Sequence, residues 1–478
     1  MNKYLLPAFL LSILHSILFF NFGFDISVIL YILPLLIFVV YVLKKENKIK
    51  NRYGLLLIIP IVILSFVYFV TDHWLFRLLN LFVIPLLLII MYIFIIKNNY
   101  DLLSLIKDSF LFIKEPFSYN DEIYNIVKDK LFNKVNISQS TKNKIKSFLM
   151  VLPIIIIVLL LLSSADMIFE NTFTYIFLGI KTILKCCFKG NIIIRLIIMI
   201  VIFISISGTI YYIINDYNNE EVEDIVEKRN FINTESIKML FVILNLIYLI
   251  FDFIQIKSLL FHSVGESINY AEYARQGFFQ LMLVSLINLI LILFAKNYML
   301  KENLKDNKFY KIMSLLMIGL TSIIIVSSFL RMNLYEQQYG YTLLRLLVYV
   351  SLITEVILII PTINYVFKPN YNILIRYFII ILSIYTLINY INVDKIIATR
   401  NIERYYEKQN IDLDYLFNKR VGNLEVLLEF YKEVEDNEIK EELDNYFKRF
   451  KMFEINDNVL EYNFYYDKTD RILNKRKK

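Results

Sequence analysis

The stretch TLLRLLVYVSLITEVILIIPTINYV, residues 342–366, decides the fold class. It outruns the ~20 apolar residues that a helix needs to cross the hydrocarbon core of a bilayer. One acid, Glu355, sits near its middle, and one base, Arg345, near its start. Runs of this kind recur near 4–21, 25–43, 55–70, 78–96, 147–168, 191–214, 237–257, 277–295, 312–330 and 371–391. The expected fold is therefore all-α, a polytopic transmembrane helix bundle of about eleven spans, the third of them short.

Composition agrees. The chain is 58% hydrophobic, against about 45–50% for an ordinary soluble domain. Its 39 Phe and 35 Tyr against 10 Gly argue for bulky helices and against a bundle packed through small residues. The net charge of +7 comes from lysines in short loops between apolar runs, where they set membrane orientation, so no nucleic-acid partner is expected. The partner that composition implies is the lipid bilayer. Cys186 and Cys187 are the only cysteines, and they are adjacent. They imply neither a disulfide framework nor a thiolate zinc site. The first residues, MNKYLLPAFLLSILHSILFF, lack a small-x-small cleavage site before NFGFDIS and read as a retained span, with His15 as a packing residue within it.

Basic loops set the expected orientation. Residues 44–52, 97–146, 296–311 and 367–370 share one side, which the positive-inside rule makes cytoplasmic along with the N-terminus. Residues 71–77, 258–276, 331–342 and everything after 391 then lie outside. The segment 170–191, with Lys181, Lys185 and Lys189, runs against this parity and reads as interfacial or re-entrant. The acidic loop 215–230 bears little on orientation. Four regions follow. Residues 1–96 form a four-span membrane region, and 97–146 a cytoplasmic loop whose Leu102, Leu105, Ile106, Phe110 and Ile113 mark an interfacial helix. Residues 147–391 form a seven-span core, and 392–478 a helical extracytoplasmic tail with a periodic stretch at 424–450.

Two polar stripes fall on the outer side. In NYAEYARQGFFQL (269–281) and the residues before it, His262, Glu266, Asn269, Tyr273 and Gln276 share a helix face, with Glu272 and Arg275 beside them. His262 and Glu266 are spaced for a metal but lack a third ligand nearby; an amphipathic interfacial helix is the alternative. In RMNLYEQQYGYTLLR, Arg331, Tyr335, Gln338 or Tyr339, Thr342 and Arg345 step by three or four if the helix continues through Gly340. Guanidinium forks suit phosphate or carboxylate, so Glu272, Tyr273, Arg275, Arg331, Tyr335, Tyr339 and Arg345 form the candidate ligand site. Snorkelling arginines that anchor helix ends are the alternative. Glu355, Asp252 and Arg195 are intramembrane charges, expected to face other helices.

The blocks SADMIFE (164–170), YAEYARQGFFQL (270–281), LRMNLYEQQYGYTLLRL (330–346) and NVDKIIATRNIERY (392–405), followed by IDLDYLF, resemble an uncharacterised bacterial membrane-protein family, domain of unknown function four-one-seven-three. The resemblance runs from the fifth span into the tail and leaves the first four spans outside. It implies the bacterial cytoplasmic membrane and supplies no catalytic residue. The leading functional expectation is binding or transport-like handling of an anionic envelope component or lipid headgroup at the extracytoplasmic face. A membrane scaffold or sensor that contacts another membrane protein is the second reading. An enzyme ranks last, because the chain has 3 His and shows no nucleophile–base pair. No cofactor motif is present.

Overall fold

A computed structural model describes residues 2–22, 24–71, 73–97, 102–119, 121–123, 125–126, 192–215, 234–260, 278–299, 304–368, 371–417 and 422–450. Among these residues the structure is helical, with no strand. Among the described residues ten helices are long and apolar enough to cross a membrane. They match ten of the eleven expected spans, and the remaining one, 147–168, lies outside the described residues.

The chain divides into two compact units. The first comprises residues 1–54 and 89–222. Its helices are α1 (Asn2–Phe22), α2 (Ile26–Lys45), the end of α4 (Trp74–Ile96), α5 (Leu102–Ser118) and α6 (Ile192–Asn215). Tyr4, Ala8 and Leu11 of α1 bury against Phe38 and Val42 of α2 and Ile210 of α6. Where α2 ends, Glu46 accepts from the Tyr4 hydroxyl at 2.5 Å and pairs with Lys3 at 2.7 Å. The Lys3 hydrogen bond, then that of Tyr4, holds the Glu46 carboxyl below its ordinary range.

Helix α5 is two-faced. Asp108, Phe112 and Pro116 point inward, and Lys97 donates to Asp108 at 2.6 Å. Phe110, Ile113 and Phe117 stay exposed. Pro116 comes so close to α6 that a Cβ on Gly208 would lie 2.0 Å from its carbonyl oxygen.

The second unit comprises residues 55–88 and 223–478. It holds α3 (Ile58–Val70), the start of α4, α7 (Thr234–Leu260), α8 (Phe278–Met299), α9 (Leu304–Tyr339), α10 (Leu343–Phe367) and α11 (Ile373–Tyr390). The tail adds α12 (Val393–Lys408), α13 (Leu413–Phe417), α14 (Leu424–Glu433) and α15 (Asn437–Phe450). Helix α9 is the hub and packs on α7, α8 and α10. Ser314, Thr321 and Ser328 are fully buried on it at seven-residue spacing, and such small side chains let neighbouring helices approach closely.

Three expectations need correction here. The span at 312–330 is part of a 36-residue helix, because polar residues at both ends continue it. Gly340, at φ +81°, ends that helix, so Thr342 and Arg345 do not prolong the Arg331–Tyr335 stripe. The periodic stretch 424–450 is two helices, broken at Val434–Asp436, where Asp436 accepts from the Glu438 N–H at 2.9 Å.

The tail does not stand apart from the membrane helices of its unit. Ile397, Leu416, Leu427, Leu443 and Phe447 are fully buried in a core that also takes in Phe76 of α4, Leu343 of α10 and Ile388 of α11. Asn392 caps α12 through the Lys395 N–H at 3.0 Å and donates to the Gly422 carbonyl at 2.9 Å. Below it, Asn80, Tyr385 and Asn389 join α4 to α11 by bonds of 2.7 and 2.8 Å.

Candidate functional site

Where α9 ends, its last carbonyls lose their helical partners and must be satisfied from elsewhere. The tail helix α12 supplies the donors. Arg404 donates to the carbonyls of Gln337 at 3.1 Å, Gln338 at 2.6 Å and Asn410 at 3.2 Å, and Lys408 donates to Gln337 at 2.6 Å. Cations suit this position because the C-terminal end of a helix carries partial negative charge. Two residues past the end of α9, the Asn401 side chain pairs with both backbone groups of Tyr341, each at 2.9 Å. The Tyr415 hydroxyl accepts from the Leu343 N–H at 2.9 Å. The turn between α9 and α10 is thus held by tail residues that lie sixty or more positions away in sequence.

Arg345 approaches the same turn from α10. It donates to the Gly340 carbonyl, and its guanidinium carbon stands 4.2 Å over the Tyr335 ring. Tyr335 stacks on Phe278 at 5.9 Å and meets Tyr339 at 5.0 Å, which makes an aromatic floor. Glu336, the residue after Tyr335, is buried and accepts from the Tyr349 hydroxyl at 2.7 Å. Burial, then the charge of Glu336, raises the Tyr341 phenol above its ordinary range.

Of the expected ligand residues, the structure brings Tyr335, Tyr339 and Arg345 together. Arg331 is buried instead, with one turn of α7: it donates to Gln255 at 2.8 Å, beside Ser327 at 3.0 Å. Glu272, Tyr273 and Arg275, and the metal candidates His262 and Glu266, lie outside the described residues. Among the described residues no group of three His, Cys, Asp or Glu could hold a metal. Sequence reasoning missed Arg404, Lys408, Asn401 and Tyr415. Only the four-residue spacing of Arg404 and Lys408 on a helix hinted at a shared face.

The interior of the second unit is polar as well. On α7, Asn245, Asp252 and Gln255 are all buried, along with the partly buried Tyr248. Tyr248 donates to Asn288 of α8 at 2.8 Å, and Asn288 donates to Thr321 of α9 at 3.0 Å. One turn from Asn288, the Ser285 hydroxyl touches both the Met282 carbonyl oxygen, at 2.8 Å, and the Glu355 carboxyl of α10. Glu355 is 4% exposed and Asp252 2% exposed, and among the described residues neither oxygen of Asp252 has a hydrogen-bond partner. Lys296, also buried, donates to the Tyr365 and Lys368 carbonyls at the end of α10. In the first unit Arg195 serves a helix end too: it donates to the Phe20 carbonyl of α1 at 3.2 Å.

No curated protein and no solved structure matches the chain. A family profile does match, over residues 58–429, from the first residue of α3 into α14. It corrects the resemblance in two respects. The family is a different one of unknown function, and the third and fourth spans lie inside the match and not before it. Both halves of the clamped turn, 330–346 and 392–405, also lie inside it. With that match covering well over half of its length, the chain belongs to the family described as "Domain of unknown function (DUF4153)".

Proposed function

We propose that this multi-pass membrane protein binds an anionic envelope component, through a phosphate or carboxylate group such as a lipid headgroup carries, at the tail-capped turn between α9 and α10. One observation carries the reading. Arg345, Arg404 and Lys408 converge on Gln337–Gly340, and among the described residues their hydrogen bonds go to main-chain carbonyls and to no carboxylate. Beside them lie the exposed ring of Tyr339 and the stacked ring of Tyr335. Cations on an aromatic floor at a membrane interface suit a headgroup, which offers charge to the guanidinium forks and apolar chain to the rings. The turn lies at the opposite ends of α9 and α10 from the lysine-rich segment 296–311, which under the positive-inside rule supports an extracytoplasmic turn and tail.

The same contacts favour a second reading, a scaffold or sensor. Cations that cap a helix also fix the tail, and a partner that pulled the tail away would uncap α9. Thermal unfolding of the detergent-purified protein separates the two. A ligand at 100 times its Kd stabilises the folded state by about 2.7 kcal/mol. An anionic phospholipid or inorganic phosphate should raise the melting temperature, and a zwitterionic phospholipid should not. The increment should be lost in Arg345→Gln. No increment with either anion, or an equal one in Arg345→Gln, leaves the scaffold reading.

A further inference from the structure

We propose that Glu355 and Asp252 form an intramembrane proton-binding site: two carboxyl groups, on α10 and α7, that carry and exchange protons within the group α7, α8, α9 and α10. The inference does not rest on the anion site and survives its failure. Glu355 provides the first step. A serine hydroxyl has one hydrogen to donate and two lone pairs to accept with. Ser285 is in contact with two acceptors, the Met282 carbonyl and the Glu355 carboxyl, and cannot donate to both. The conflict disappears if the proton is on Glu355, which then donates to Ser285 while Ser285 donates to Met282.

Asp252 provides the second. It is 2% exposed, and among the described residues neither carboxylate oxygen accepts a hydrogen bond. An ionised carboxylate without partners is costly in a membrane interior, whereas the protonated acid is neutral there. The two acids occupy one polar layer. Asp252 stands one turn from Tyr248 on α7, Ser285 stands one turn from Asn288 on α8, and the Tyr248–Asn288 bond joins the two helices. Among the described residues neither acid is in an ion pair. Arg331 is held by Gln255, and Lys296 by the Tyr365 and Lys368 carbonyls. Glu336 is bound to Tyr349, and Tyr310 donates to the Ile292 carbonyl. A metal cation would need about six oxygen ligands, and the described residues offer no cluster of acidic, His or Cys groups for one.

The test is infrared spectroscopy of the full-length protein in phosphatidylcholine vesicles. Exposed acids are ionised at neutral pH, so a protonated-carboxyl band there reports buried acids alone. Such a band is expected at neutral pH, losing one component in Glu355→Gln and another in Asp252→Asn. It should decline as pH rises, by about tenfold per pH unit once the acids ionise. Spectra of the unaltered protein decide the matter if a variant fails to fold. Absence of the band at neutral pH, its persistence without decline in strong alkali, or an undiminished band in either variant overturns the proposal.

Discussion

Replacing Gly340 by Ala should loosen the tail from the helices it caps. Gly340 sits in left-handed backbone, at φ +81°, which costs an L-residue about 1–2 kcal/mol. An added Cβ would also lie 2.6 Å from Asn401 Oδ1, so Asn401 must withdraw from its paired bonds to Tyr341. Two such bonds are worth about 1 kcal/mol each. The sum, about 3–4 kcal/mol, enlarges the fraction of molecules with an open tail by a factor of about a hundred or more, at a factor of ten per 1.4 kcal/mol. Protease cleavage within the tail, read at equilibrium, follows that fraction. In an Asn401→Ala background the clash and the bonds are already gone, and Gly340→Ala should add only the strain of about 1–2 kcal/mol. The two changes should therefore be coupled by about 2 kcal/mol. Cleavage of Gly340→Ala within about threefold of the unaltered protein, or strict additivity in the double variant, refutes the clamped turn.

Three further predictions concern packing and charge. Gly208→Ala should destabilise the first unit by at least the about 1–3 kcal/mol of an overpacked core, since Pro116 O stands where the methyl would go; Gly319→Ala, with nothing within 4 Å, should be neutral or stabilising by up to about 1 kcal/mol. Thermal unfolding of the two variants ranks them. Asn80→Ala should cost about 1–3 kcal/mol by leaving Tyr385 and Asn389 without their shared partner, and should be non-additive with Asn389→Ala in the same assay. Glu46 is held below its ordinary range when folded, so its contribution is present above its unfolded pKa and disappears as pH falls through the lowered folded value. Glu46→Gln should flatten that acid limb of a stability–pH curve and leave the alkaline limb in place.

The membrane helices were legible because lipid sets their length: about twenty apolar residues per crossing leaves little choice in 342–366 or 371–391. The ends of α9 were not. Lys308, Lys311, Arg331 and Glu336 look like loop composition, yet the helix runs through all four because Gln255, Tyr349 and the tail satisfy its polar ends. Helix breaking at Gly340 was visible as a possibility, and the backbone decides it. Tail docking left almost no trace, because Arg404 and Lys408 bind main-chain carbonyls, which carry no residue identity. The charges of Asp252 and Glu355 could be read directly. Their surroundings could not, since Ser285 and Asn288 are ordinary residues until α8 places them beside α7 and α10.

The most direct test of the anion site is native mass spectrometry of the protein released from mixed vesicles of phosphatidylglycerol and phosphatidylcholine. The unaltered protein should retain the anionic lipid selectively, and the double variant Arg345→Gln/Arg404→Gln should lose that selectivity while Gly319→Ala keeps it. Equal retention of the two lipids by the unaltered protein, or undiminished selectivity in the double variant, would contradict the assignment of the α9–α10 turn as the binding site.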